Sequence, residues 1–181
     1  MTQLENAARN IVTAAMKKVA RLEGLNVNFL LSQIKKGRVV IPLNNKHRIL
    51  RPCGIGEGLR TKINANIGTS TDKSQIRQEL NKLDIATKYG ADTVMDLSVG
   101  GDIRKIRRLI LRRSKVAVGT VPIYEIAVNA SRNRGDFLNF GIDEILEVLE
   151  SPAQDGVDFF TLHSGLTRTT LSLFSGQTTI P

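Results

Sequence analysis

The first quarter of the chain carries the apolar spacing of helices. Apolar residues recur every three or four positions over residues 4–22, and Gly24 follows as a helix-terminating glycine. The spacing therefore predicts one helix over residues 4–22. A second, short helix is predicted over 28–36, and a brief strand over 38–41. Residues 1–53 are accordingly predicted to form a small helical N-terminal module.

From residue 61 onward, apolar strands alternate with amphipathic helices. The predicted strands cover residues 61–67, 92–97, 115–119 and 157–163, and the predicted helices cover residues 70–89, 102–113, 123–131 and 143–154. The strands show little apolar–polar alternation, which is typical of strands covered on both faces. Repeated strand–helix–strand units favour a parallel sheet with right-handed crossovers. The predicted fold class is therefore α/β.

Residues 54–181 are predicted to hold about four βα units of a TIM-type barrel. That is half of an eight-stranded (β/α)8 barrel, which typically takes about 250 residues. A loop is predicted over 133–141, and the helix after it is predicted to begin on an Asp143 cap. The tail after His163 shows no further strand–helix pair. The pattern thus predicts the first half of a barrel, truncated, behind the N-terminal module.

The charge balance favours an anionic partner. The formal net charge is +9 and the sequence pI is near 10.1, so nucleic acid and phosphorylated metabolites are both candidates. Aromatic residues make up only 4% of the chain and do not alternate with Lys or Arg, which argues against a surface that stacks single-stranded nucleic acid. A phosphorylated small molecule is the favoured class of partner.

Cysteine usage and hydropathy limit the class of protein further. Cys53 is the single cysteine, so no disulfide within the chain and no multi-cysteine metal site is expected. No apolar run approaches the roughly 18 residues of a membrane helix, and charges scattered through residues 1–23 do not fit a secretory signal. A cytoplasmic protein without membrane partners is predicted.

Polar and sulfur-containing side chains stand where the predicted strands end. Asn66 either binds a ligand together with Asn64 or braces the turn after its strand. Met95 is a core residue by its pattern alone. Tyr124 either reaches a ligand or caps a loop, and His163 at the end of the last strand is equally compatible with a structural and a functional role. Ligands of α/β enzymes bind at such carboxyl ends.

Two basic stretches allow other interpretations. His47 lies in a polar, basic loop over 44–52 and is expected to be solvated. The helix over 103–115 is rich in arginine, which suggests either an anion or nucleic-acid patch or the solvated outer face of a barrel helix. The second interpretation is favoured because the charges flank an ordinary apolar stripe.

Cys53 is expected to be a small buried residue rather than a reactive thiol.

The strand-end motifs, in this order and spacing, resemble one enzyme family closely. The matching stretches cover residues 58–70, 90–98, 119–124 and 155–163. They resemble phosphomethylpyrimidine synthase, the ThiC family of thiamine biosynthesis, whose members are radical S-adenosylmethionine enzymes. The resemblance implies a (β/α)8 barrel and a lyase that converts aminoimidazole ribotide to hydroxymethylpyrimidine phosphate by an adenosyl-radical rearrangement.

Substrate-binding residues carried over from this resemblance are Asn66, Met95, Tyr124 and His163. The steps from Asn66 to Met95 and from Met95 to Tyr124 are each 29 residues, one βα unit apiece. The resemblance also implies three cofactors: S-adenosylmethionine, a 4Fe-4S cluster and zinc. The family's cluster cysteines, zinc histidines and catalytic glutamate have no counterpart in this sequence. No catalytic residue and no metal ligand is therefore assigned here, and the chain alone is expected to be inactive.

Three roles follow from that expectation. The chain is a fragment without activity, one half of a split enzyme completed by a C-terminal half or a homodimer, or a binding module for a ribotide or nucleic acid.

Three local departures from the family pattern are Val99 in place of Thr, Ala117 in place of Pro, and Ser164 after the strand-end histidine. Of these, Val99 removes a hydroxyl beside the predicted site.

Overall fold

A computed structural model describes residues 1–134, 140–165 and 167–174. The helices are α1 (Gln3–Ala8), α2 (Ala14–Glu23), α3 (Val27–Lys35), α4 (Ile76–Lys88), α5 (Ile103–Arg113), α6 (Pro122–Arg134), α7 (Ile142–Asp155) and α8 (Arg168–Phe174). The strands are β1 (Val39–Val40), β2 (Ile55–Gly56), β3 (Asn64–Ile67), β4 (Thr93–Asp96), β5 (Ala117–Thr120) and β6 (Phe159–Phe160). Within the described ranges, no helix has the length and apolarity needed to cross a membrane.

The N-terminal module begins with two helices rather than one. Thr2 caps α1 in a capping box with Glu5, and Asn10 then adopts a left-handed backbone with φ of 59°. Thr13 caps α2, which ends at Gly24 as predicted. The single helix predicted over residues 4–22 is therefore wrong, because a local turn and a second cap interrupt the continuous apolar spacing.

The N-terminal module has a hydrophobic core of its own. Buried residues of α1, α2, α3 and β1 form one cluster, and partly buried Leu59 packs against it. Strand β1 pairs antiparallel with β2, and Gly56 of β2 lies opposite Val39 of β1. Gly56 has φ of 141°, and an added Cβ would lie 2.0 Å from the Arg38 carbonyl oxygen. This close approach requires a glycine.

Four strands form one parallel sheet in the order β3-β4-β5-β6. The prediction of an α/β fold with a parallel sheet is thereby confirmed. The strands are shorter than predicted, and His163 lies beyond β6 rather than at its last position. Helix α4 begins at Ile76 after a Gln75 cap, not at Ser70, because Ser70 forms a turn with Lys73 through hydrogen bonds in both directions.

The later helices differ from their predicted bounds at their ends. Helix α6 runs to Arg134, so the loop predicted over 133–141 begins at least two residues later, and its residues 135–139 lie outside the described ones. Helix α7 starts after Gly141, whose N–H donates to Glu144 Oε2 at 2.8 Å, so the predicted Asp143 cap is wrong. Of the weakly patterned tail, α8 is described and residues 175–181 are not.

Helices α4 and α5 pack on one face of the sheet. The core between them contains Ile67, Val94 and Val118 from the strands, with buried residues of α4 and α5. Strands β4 and β5 are buried along their whole length, as predicted for strands covered on both faces. Alternation along β3 sends Asn66 to the opposite face, which carries the candidate site.

Candidate functional site

One row of residues crosses the sheet on the face away from the helices. In the strand register, Asn66 lies opposite Met95, Met95 opposite Gly119, and Gly119 opposite Phe159. Aligned residues of parallel strands share a face. The row therefore places an amide, a thioether and an aromatic ring side by side, with a glycine between the last two.

Asn66 is held by its own strand and by the next one. Asn64 Nδ2 donates to Asn66 Oδ1 at 2.9 Å, and Thr93 Oγ1 donates to Asn64 Oδ1 at 2.8 Å. Asn64 and Asn66 thus lie on the same face of β3. The Asn66 side chain is exposed, and its Nδ2 group has no hydrogen-bond partner among the described residues. It is available to donate to a ligand.

Met95 lies in the wall of a cleft on this face of the sheet. Its side chain is 8% exposed, and Thr161 Oγ1 lies 3.8 Å from its sulfur. The cleft has a volume of about 490 Å³ and is also lined by Lys62, Asn64 and Phe159. An added Cβ on Gly119 would lie 2.4 Å from the Phe159 ring, so the absence of a side chain at this position makes room for that ring.

Tyr124 and His163 form a second pair at the same edge. Tyr124 lies in the first turn of α6, directly after β5, and His163 follows β6. Their ring centroids are 6.0 Å apart at an interplanar angle of 39°. Both side chains are exposed, Tyr124 by 39%. Two polar rings therefore lie near each other after the neighbouring strands β5 and β6.

A buried polar network supports the loops beneath this edge. Ser98 donates to Asp96 Oδ1 from its N–H at 3.0 Å and from its hydroxyl at 2.5 Å, and Thr69 N–H donates to Ser98 Oγ at 3.1 Å. Gly68 N–H donates to Glu79 Oε2 at 2.7 Å. Burial raises the pKa of Asp96, and the hydrogen bonds from Ser98 only partly oppose this effect. The sequence pattern predicted no role for these residues.

Arg107 anchors the first turn of α6, where Tyr124 lies. Arg107 is 1% exposed and donates to Glu125 Oε2 at 2.7 Å and to Asp155 Oδ2 at 2.9 Å. It therefore ties α5 to α6 and α7. The prediction that the arginine-rich helix presents a solvated outer face is wrong at this position, because two carboxylates draw the guanidinium into the interior.

The environment of His47 also differs from the one predicted. Its side chain is buried, and Nδ1 lies 2.6 Å from Asp158 Oδ2. The same carboxylate accepts from Asn44 N–H and Val118 N–H, both at 2.8 Å. The expectation of a solvated histidine is wrong because the loop folds onto the start of β6. No sequence signal pointed to this partner, because Asp158 lies 111 residues away along the chain.

A parallel sheet with polar side chains after its strands is the arrangement in which α/β proteins bind small molecules. A family model described as the radical SAM ThiC family matches residues 2–180. The chain therefore belongs to the radical SAM ThiC family.

Curated relatives support the same assignment. A protein named phosphomethylpyrimidine synthase from Thermodesulfovibrio yellowstonii is 50% identical over the whole of this chain, which covers 42% of the relative. Proteins of the same name from Moorella thermoacetica and a Thermoanaerobacter species are 52% and 53% identical over 92% of this chain, which covers 39% of each. The chain thus spans about two fifths of the length of these relatives.

The radical SAM family implies S-adenosylmethionine and an iron–sulfur cluster. Among the described residues, no group of three or more His, Cys, Asp or Glu side chains has the arrangement of a metal site. Cys53 is buried, as predicted, and burial raises its pKa to about 11, the opposite of what a thiolate ligand needs. The described residues therefore do not fit an iron–sulfur cluster or a zinc ion.

Proposed function

We propose that this chain supplies the N-terminal part of a phosphomethylpyrimidine synthase. The activity is the conversion of aminoimidazole ribotide to hydroxymethylpyrimidine phosphate, in the pyrimidine branch of thiamine biosynthesis. The chain contributes one wall of the substrate site, formed by Asn66, Met95, Tyr124 and His163. The cluster and zinc ligands of the enzyme then lie outside the described residues.

The observation that carries this proposal is that the four side chains lie on or after neighbouring parallel strands, in two pairs. Asn66 and Met95 are neighbours in the strand register, and the centroids of the Tyr124 and His163 rings are 6.0 Å apart. The Thr161 hydroxyl, two residues before His163, contacts the Met95 sulfur. This contact links the segment that carries His163 to the strand that carries Met95. An exposed amide donor suits a ribose or phosphate oxygen, and the rings suit a flat heterocycle.

The architecture supports a partial (β/α)8 barrel as the scaffold. Helices cover one face of the four-stranded parallel sheet, and the other face carries the site row. In a barrel, helices cover the outer face only, and catalytic groups stand at the carboxyl ends of the strands. We propose that a complementing C-terminal half, or a homodimer of the chain, completes a cytoplasmic enzyme.

The arginine-rich helix gives little support to a nucleic-acid role. Arg107 is internal, Arg104 and Arg108 pair with Asp155, and Arg113 pairs with Asp84. A phosphate-tracking surface needs free cations in a stripe along the nucleic acid. Most cations of this helix are engaged within the protein.

Calorimetric titration with aminoimidazole ribotide tests the proposal. Wild-type chain is compared with an Asn66→Ala, His163→Ala double variant and with an Asn81→Ala, Gln78→Ala control on the exposed face of α4. We expect the site variant to weaken binding about tenfold or more, since each lost hydrogen bond contributes about 1 kcal/mol and the ring contact is lost as well. Equal binding by all three proteins would contradict the proposed site.

A further inference from the structure

A second polar pocket lies at the opposite end of the sheet from the candidate site. It has a volume of about 390 Å³, and Lys46, Arg48, Arg108 and Arg112 contribute to its lining. Arg112 is in the last turn of α5, which precedes β5, and the pocket also includes Asp155 at the end of α7, which precedes β6. These helix ends stand at the amino ends of the strands, whereas Asn66 and Tyr124 stand at the carboxyl ends.

The pocket carries an excess of positive charge. Lys46, Arg48 and Arg112 are exposed and have no ion pair or side-chain hydrogen bond among the described residues. Arg108 donates to Asp155 Oδ1 at 2.7 Å, and Arg107 also engages this carboxylate. Burial raises the pKa of Asp155, but hydrogen bonds from Arg108 and Arg107 outweigh that effect and hold it below its ordinary value. The one acidic residue of the pocket is therefore neutralised.

The loop that contributes Lys46 and Arg48 is fixed, not free. His47 binds Asp158, and the Asn44 side chain donates to the carbonyl oxygens of Ala153 and Val157 at 2.8 and 2.9 Å. Lys46 N–H donates to Asn44 Oδ1 at 2.9 Å. The basic side chains on either side of His47 are thus held near α5 by a built hydrogen-bond network.

Ordinary structural effects explain only part of this arrangement. A cation in the last turn of a helix is stabilised by the helix dipole, which accounts for Arg112. It does not account for Lys46 and Arg48, which belong to a loop anchored across more than 100 residues of sequence by the contact between His47 and Asp158. Like charges gathered in a concavity destabilise the protein until an anion binds between them.

We infer that this pocket binds a phosphorylated small molecule through its phosphate oxygens. Guanidinium groups of Arg48 and Arg112 match phosphate in a bidentate geometry, and the Lys46 ammonium adds a point charge. The Leu111 side chain and the Gln154 amide also line the pocket. The site is separate from the proposed ribotide site, since the two lie at opposite ends of the strands, and it does not depend on the proposed function.

Titration of the 181-residue chain with inorganic pyrophosphate tests this inference. Calorimetry gives the affinity, and amide chemical shifts in two-dimensional NMR spectra locate the site. We expect saturable binding, with the largest shifts in residues 46–48 and 108–112. An Arg48→Gln, Arg112→Gln variant is expected to bind about tenfold or more weakly, since it loses two charged hydrogen-bond donors to the phosphate oxygens.

The matched control is an Arg21→Gln, Arg77→Gln variant. It removes the same net charge from two exposed arginines that have no ion pair among the described residues, and it is expected to keep wild-type affinity. Lys46→Gln is a second site variant on the exposed loop and is expected to weaken binding as well.

Three results would overturn the inference. Pyrophosphate fails to bind, both double variants weaken binding equally through net charge alone, or the shifts map to residues around Asn66 and Tyr124. The last result would assign the anion to the ribotide site instead. Spectra of each variant without ligand verify that the fold is retained.

Discussion

At the residue scale, Asp92 shows how a buried carboxylate supports the start of a strand. Asp92 accepts two hydrogen bonds from the Arg60 guanidinium and a third from Ile63 N–H at 2.9 Å. Burial alone would raise the pKa of Asp92, but these donors outweigh it, and the pKa lies below its ordinary value. The carboxylate thus joins the segment before β3 to the segment before β4.

We expect Asp92→Asn to lower the free energy of unfolding at pH 7 by about 1–3 kcal/mol, since it removes charge-assisted hydrogen bonds from a buried group. The folded-state pKa is lowered, so the stabilisation is complete above the unfolded pKa of about 3.9 and is lost as the pH falls through the folded value. Urea unfolding at pH 7 and again in acid measures this.

The exposed Asp72→Asn variant is the control for Asp92, because within the described part of the chain its carboxylate accepts a hydrogen bond only from the neighbouring Thr71 hydroxyl, at 3.4 Å. It is expected to change stability little at either pH. A cost of Asp92→Asn that stays constant from pH 7 into acid would contradict a role for the ionised carboxylate.

At the element scale, β5 joins the helix-facing core to the site row. Val118 packs with the helices, while Gly119 faces Phe159 on the site face. The nearest Phe159 ring atoms would lie 2.4 to 2.8 Å from a Cβ on Gly119. Such distances are far inside van der Waals contact, so the ring or the strand must move.

We therefore expect Gly119→Ala to destabilise the chain by about 1–3 kcal/mol through overpacking. Adding Phe159→Leu to Gly119→Ala should recover part of that loss, because the smaller side chain leaves room for the new methyl group. Thermal unfolding of the two single variants and the double variant gives the coupling energy. Additive effects without recovery would show that the clash with the Phe159 ring is not the cause.

Elements with strong local signals were predictable from the sequence, and long-range polar contacts were not. Apolar strands with glycine or polar ends indicated β3 to β6 and their parallel order. The break between α1 and α2 depends on Asn10 and Thr13, whose local turn and cap outweigh the helical spacing of the apolar residues. Similarly, Ser70 forms a turn with Lys73, so α4 begins later than predicted.

The residues of the candidate site were predicted from the sequence, but the long-range contacts that support them were not. Asn66 and Met95 follow from strand position and the family resemblance, and their register confirms that they are neighbours. The burial of His47 and Arg107 was not predictable, because their partners Asp158 and Asp155 lie 111 and 48 residues away in sequence. Only the folded chain brings these charges together.

At the scale of the whole molecule, Asp158 fastens the N-terminal loop to the sheet. Its side chain is fully buried and accepts from His47, from Asn44 N–H and from Val118 N–H. One carboxylate thereby joins the 44–47 loop, β5 and the residue before β6. Loss of this group leaves three polar partners buried without their acceptor.

We expect Asp158→Ala to lower the free energy of unfolding by about 3–5 kcal/mol, the usual cost of removing one member of a buried pair. Hydrogen exchange should accelerate at Val118 N–H, since its acceptor is gone. The exposed Asp143→Ala variant in α7 is the reference and should behave like wild type. Unchanged exchange at Val118 in Asp158→Ala would argue against this connection.

The proposed ribotide site at the carboxyl edge of the sheet includes Met95, whose methyl group can report ligand binding. The chain has three methionines: Met95 in the cleft, Met16 in the N-terminal core and exposed Met1. NMR spectra of carbon-13-labelled methionine methyl groups therefore report on the site with two internal controls. We expect aminoimidazole ribotide to shift the Met95 signal saturably and to leave the Met16 and Met1 signals in place, and we expect Asn66→Ala to abolish the Met95 shift. A Met95 signal that does not move at high ribotide concentration would contradict it.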